Sequence, residues 1–162
     1  SHIPKDLRDN AFILDGGISL LGLESTVLQT FKNKITILRL GSITIEEIKK
    51  KINNIEINIE NNNSKLSPGT QLKHYSPNLP IRLNVTEIKE NECLLNFGQN
   101  HLKSLICEYN LSPTSNLNEA SKNFFNYLYL VDKCKCKGIA VAPIPNHGLG
   151  KTINDRLKRA SV

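Results

Sequence analysis

No apolar run in this sequence of 162 residues exceeds a few positions. A bilayer span needs roughly 20 such residues, so a membrane role is not expected. No basic-then-apolar segment opens the chain, so secretion is not expected and a cytoplasmic location is. The composition also lacks the charge excess and apolar poverty of disorder: hydrophobic residues are 39% and charged residues 22%. A chain of this length can bury about 70% of its unfolded surface and so can build a core.

Acid is nearly missing from one end. Residues 1 to 132 hold 14 Lys/Arg and 14 Asp/Glu, whereas residues 133 to 162 hold seven basic groups against Asp155 alone. The net charge of +6 therefore belongs to the C-terminal thirty residues. This suggests an acidic partner such as RNA, with a solvated basic face as the plain alternative. Cysteine is sparse too: Cys93, Cys107, Cys134 and Cys136. Without a signal segment, reduced thiols are expected. Cys134 and Cys136 are one residue apart, with no second pair at metal-site spacing, so a metal site is not expected.

The first part reads as short strands. Ser25 to Thr30 and Ile35 to Leu40 are rich in β-formers, and the four residues between them suit a hairpin. Thr44 and Glu47 have the spacing of a capping box, opening a helix to about Ile52 with Ile45, Ile48 and Ile52 along one stripe. Residues 53 to 66 are Asn-rich and show no sustained pattern. Residues 67 to 80 hold three prolines and read as an extended linker. From residue 81 strands and helices alternate. Candidate strands are 81–85, 92–97, 105–109 and 138–142. One candidate helix is capped by Asn116 and carries Leu117, Ala120, Phe124, Leu128 and Val131 on one face; another begins near Lys151. The expected fold class is α/β: the end of one α/β unit over 1–53, a linker over 54–80, and a small Rossmann-like parallel unit over 81–162.

Three groups of residues carry chemistry. Gly148-Leu149-Gly150-Lys151-Thr152 resembles a phosphate-binding P-loop, but the first glycine of that pattern would fall at Pro145, which has no N–H to offer. The plain alternative is a glycine turn that lets a helix pack closely. A second group comprises Asp15-Gly16-Gly17, Gly22-Leu23-Glu24-Ser25-Thr26-Val27 and Leu38-Arg39-Leu40-Gly41. The glycines permit close backbone approach. The hydroxyls of Ser25 and Thr26 would point to opposite faces of a strand, so that one could bind a ligand while the other serves the fold. Arg39, at the end of an apolar strand, could grip a phosphate bidentately. The third group is Ser67-Pro68-Gly69 followed by His74-Tyr75-Ser76-Pro77. Tyr75 suits a lid over a nucleotide and His74 could meet a polyphosphate.

In that order and spacing, the motifs DGG, GLESTV, LR-x-G and SPG…HYSP resemble the second half of the long-form threonylcarbamoyl-AMP synthases, YrdC-like enzymes of tRNA modification. The tail Asn154-Asp155-Arg156-Leu157-Lys158-Arg159-Ala160 is similar to the end of that family's accessory domain. The resemblance implies a nucleotidyltransferase that turns L-threonine, bicarbonate and ATP into threonylcarbamoyl-AMP and pyrophosphate, with Mg²⁺ offsetting phosphate charge. Partner proteins then carry the threonylcarbamoyl group to adenosine 37 of tRNA, the t6A modification. It also implies that Ser25, with Thr26 beside it, contacts threonine, that Arg39 contacts ATP phosphate, and that Tyr75 and, beside it, His74 close over the nucleotide.

The chain departs from that family in three ways. The Lys-Arg ATP motif and the Ser-x-Asn motif of the family's first half are absent. Leu40 stands where proline follows the arginine, and Gln29 stands where an acid follows the STV strand. The expectation is an incomplete chain, inactive alone, whose partner could be a separate N-terminal half. Its sheet would be left with an open edge. The absence of methionine, even at position 1, fits such a piece. The competing reading is a non-catalytic module that binds tRNA or the t6A-transfer proteins through its basic end.

Overall fold

The computed structural model describes residues 9–12, 14, 16–17, 22–52, 54–60 and 76–161. Its first part is a three-stranded sheet. Strands β1 (Val27–Phe31) and β2 (Lys34–Arg39) form the expected antiparallel hairpin, turning through Lys32 at φ +51. Helix α1 (Ile45–Lys51) then crosses over to β3 (Glu56–Ile59), which lies parallel to β2 in the order β1-β2-β3. The capping box starts α1 as expected: the Glu47 N–H donates to Thr44 Oγ1 at 3.2 Å, and the Thr44 N–H donates to Glu47 Oε2 at 2.7 Å. Such a cap contributes about 1 kcal/mol. Ile48 on α1 covers Ile35 and Ile37 of β2, forming a small core of its own.

Strand β3 corrects the reading of residues 53 to 66 as patternless. Its four residues, Glu-Ile-Asn-Ile, are too few and too polar to stand out, and its partner is not its neighbour in sequence. Pairing with β2 supplies what local propensity lacks.

The second part is a parallel sheet of β4 (Ile81–Arg82), β5 (Glu92–Asn96), β6 (Glu108–Asn110) and β7 (Gly138–Val141), in the order β4-β7-β5-β6. Helix α2 (Leu117–Asp132) leads from β6 to β7, and α3 (Gly148–Ala160) follows β7. The central strands are buried on both faces, as parallel strands usually are. Cys93 and Leu95 of β5, with Ile139 and Val141 of β7, join Phe124, Leu128 and Val131 of α2 and Ile153 and Leu157 of α3 in the main core. Leu94 and Ala140 point the other way, to a smaller cluster with Val85 and Leu102. Asn116 caps α2 through the N–H groups of Asn118 and Glu119. The strand expected over 105–109 is shorter and later, because Leu105 is 97% exposed and stays outside the sheet.

The cysteines correct the sequence reading. Instead of four free thiols, the structure joins Cys93 to Cys136 and Cys107 to Cys134 as disulfides. The sheet topology explains how they meet: residues distant in sequence converge at the ends of β5, β6 and β7 where those strands begin.

Candidate functional site

Ser25 and Thr26 enter β1, and Arg39 closes β2 opposite them. The hairpin register brings these segments side by side, pairing Val27 with Arg39. Arg39 donates from Nε (3.2 Å) and Nη2 (3.0 Å) to the Ser25 carbonyl, and from Nη2 to Ser25 Oγ at 3.0 Å. Its Nη1 lies 4.0 Å from Glu24. The fork of the guanidinium thus fixes both the backbone and the hydroxyl of Ser25, which lysine could not do. Ser25 itself is exposed. The Thr26 hydroxyl has a different setting: it donates to the Ile43 carbonyl at 2.6 Å and accepts from the Ile43 N–H at 3.1 Å. That bond ties the start of β1 to the turn before α1.

The structure therefore brings Ser25, Thr26 and Arg39 together. His74 and Tyr75 lie outside the described residues. Of the glycines, Gly17 adopts φ +77, and Gly41 packs so closely on Glu24 to Thr26 that a side chain would strike the backbone there.

Sequence reasoning missed what holds this corner in place. Glu24, beside Ser25, accepts from Arg156 of α3 at 2.9 Å (Nε) and 2.8 Å (Nη2). Arg156 also donates to the Leu40 carbonyl at 2.8 Å and to Asp155 at 2.7 Å. Thr152, one helical turn earlier, donates to the Gly41 carbonyl at 3.0 Å, and the Gly148 N–H reaches Glu46 at 3.3 Å. That N–H and the nearby Lys151 and His147 help the backbone N–H of Glu46 itself, the largest cause, to hold the Glu46 carboxyl below its ordinary pKa, against desolvation. One face of α3 thus grips both segments that carry the candidate residues. The signal was present in the sequence as NDRLKRA, but the count of charges read it as a basic surface. Arg156 and Arg159 are in fact buried, and Asp155, the lone acid of that region, bridges them.

The Gly148 to Thr152 segment is the first turn of α3. A side chain at Gly150 would strike the Pro145 carbonyl and crowd Leu117, so the glycine serves close packing. Asp132 ends a helix and accepts from the N–H groups of Asn78 and Leu79, anchoring the entry to β4. The Gly148 to Thr152 segment is therefore a packing turn and not a phosphate-binding loop.

The carboxylate next to Ser25 is already engaged by Arg156 and approached by Arg39. The residues described around this site therefore do not fit a Mg²⁺ ion.

Residues 43–162 match the model of the family described as threonylcarbamoyl-AMP synthase, C-terminal domain. The threonylcarbamoyl-AMP synthase of Pyrococcus abyssi is 26% identical over 177 aligned positions, covering 99% of this chain and 52% of that protein. The Bacillus subtilis protein of the same name is 36% identical over 86 positions, covering 51% of this chain and 25% of its own. The crystal structure of P. abyssi Sua5 complexed with L-threonine superimposes with a TM-score of 0.72 at 23% identity, covering 91% of this chain and 48% of that one. The chain spans about half the length of the P. abyssi relative, and the part that matches the B. subtilis protein spans about a quarter of it.

Proposed function

The chain belongs to the threonylcarbamoyl-AMP synthase C-terminal-domain family, and from that premise we propose that it is the C-terminal part of such a synthase. In this reading it contributes one wall of the site in which L-threonine, bicarbonate and ATP become threonylcarbamoyl-AMP and pyrophosphate. The observation that carries the reading is the Arg39–Ser25 contact, in which a guanidinium fork holds an exposed hydroxyl at the edge of a sheet. Ser25 would hydrogen-bond threonine and Arg39 would face an α-phosphate or β-phosphate. Positioning and charge, rather than a protein nucleophile, would lower the barrier. The L-threonine named with the P. abyssi structure supports threonine as the amino-acid substrate. Tyr75 and His74 are proposed to cover the nucleotide, and Thr26 to steady the strand beneath it.

This reading requires the portion that the longer relatives possess. Phe31 at the end of β1 is an exposed apolar side chain, as are Phe12 and Leu14 earlier in the chain, and such side chains suit burial against the remaining part of a catalytic domain. The test joins the chain to an N-terminal catalytic half of this family and measures pyrophosphate release. Arg39→Lys is expected to raise KM for ATP and Ser25→Ala to raise KM for threonine. Unchanged values for both variants would overturn the assignment.

The alternative, a module binding tRNA or transfer proteins, rests on the basic end of the chain. Burial of Arg156 and Arg159 removes two of its seven cations from that surface and leaves five, of which Lys133, Lys135, Lys137 and Lys158 are exposed.

A further inference from the structure

The four cysteines come from three separate places. Cys93 lies in β5, Cys107 directly precedes β6, and Cys134 and Cys136 lie between α2 and β7. Two disulfides could staple these elements at two distant points. Instead the sulfurs of Cys93, Cys107 and Cys134 all lie within 4.8 Å of one another, and Cys136 is bonded to Cys93, so all four form one cluster. Cys93 is fully buried and the other three are half-buried.

A tetrahedral Zn²⁺ ion holds sulfur at about 2.3 Å, which sets neighbouring sulfurs about 3.8 Å apart. That spacing falls within the spread of Cys93, Cys107 and Cys134, and Cys136 joins them through Cys93; the joined Cα pairs stand 5.9 and 6.6 Å apart. Charge agrees as well. Four thiolates around Zn²⁺ leave two negative charges, and exposed Lys133, Lys135 and Lys137 alternate with Cys134 and Cys136. The carbonyls of Leu130 and Val131, at the C-terminal end of α2, lie 3.6 and 4.0 Å from the sulfurs of Cys134 and Cys136.

We propose that these four cysteines form one centre with two states: a pair of disulfides when oxidised, and a Zn²⁺ tetrathiolate when reduced. A dithiol reductant supplies two electrons and two protons to each disulfide, yielding four thiols and oxidised dithiol. Zn²⁺ binding then forms four Zn–S bonds and releases four protons. The centre lies where β5, β6 and β7 begin, so occupancy governs the clasp between sheet and α2. This separates it from the Ser25–Arg39 site, and the proposal stands independently of the synthase reading.

The test uses the full chain, oxidised or reduced without oxygen, titrated with Co²⁺ alone and then Zn²⁺. The reduced chain is expected to take up one Co²⁺ with sulfur-to-cobalt charge-transfer and tetrahedral d–d bands, which one equivalent of Zn²⁺ abolishes. The oxidised chain takes up none. Cys107→Ser and Cys136→Ser each remove one ligand, and each should weaken uptake by more than about 100-fold, beyond what an outer-shell loss costs. If reduction unfolds the chain, Zn²⁺ should restore its circular dichroism. No cobalt uptake by the reduced chain, uptake without charge-transfer bands, uptake unaffected in both variants, or failure of Zn²⁺ to restore a reduced unfolded chain would each overturn the proposal.

Discussion

Arg156 of α3 reaches Glu24 across 132 residues of chain, with its Nη2 2.8 Å from the carboxylate. The pair links the tail to the segment that carries Ser25. Because Arg156 is only 7% exposed and also caps the Leu40 carbonyl, its loss strands two acceptors at once.

Arg156→Ala should therefore destabilise the chain by roughly 3–4 kcal/mol, the cost of breaking a largely buried ion pair from one side. Arg156→Lys keeps the charge but not the fork and should lie in between. Urea unfolding reads both, and an unchanged midpoint for Arg156→Ala would show that the contact is not a constraint.

Gly22→Ala should disrupt the same corner from the other side. Gly22 has φ +61, and an added Cβ would strike the backbone of Ser121 and Lys122 in α2. The expected result is lower stability and faster hydrogen exchange in residues 22–26. Substituting Leu105, which is exposed, by alanine is the control and should change stability by no more than about 0.5 kcal/mol. Wild-type exchange in Gly22→Ala would refute this packing.

Acid sensitivity should have a local source. Arg82 donates to Glu92 at 2.7 and 3.0 Å, and this hydrogen-bonded guanidinium is the main cause holding the Glu92 carboxyl below its ordinary pKa, with the Lys89 N–H adding to it against desolvation. A folded pKa below the unfolded one gives stability that is present above the unfolded value, about 4.3, and fades as pH falls through the folded value. Glu92→Gln should flatten that acid limb while changing little of the slope at neutral pH. An acid limb identical to the wild type would contradict the assignment.

Much of the fold was legible because its signals are local. The Thr44–Glu47 box, the Asn116 cap and the stripe Ala120, Phe124, Leu128 and Val131 each depend on spacing along one helix, and each is found where the spacing puts it. The hairpin that faces Ser25 with Arg39 was legible for the same reason. What stayed hidden depends on distant partners. Strand β3 exists through its pairing with β2, and the disulfides through a sheet order that sequence spacing does not encode. The burial of Arg156 and Arg159 was hidden because a charge count cannot see Glu24, which stands in the GLESTV motif and belongs to the same ion-pair network. That motif was read for its hydroxyls, yet its glutamate is what the tail holds.

The most direct measurement is pyrophosphate release from ATP, L-threonine and bicarbonate, with the chain alone and joined to an N-terminal catalytic half. The isolated chain should release none above a heat-killed control, the joined protein should release it, and joined Arg39→Ala should lose that release. Release by the isolated chain, or full activity of joined Arg39→Ala, would contradict the synthase reading.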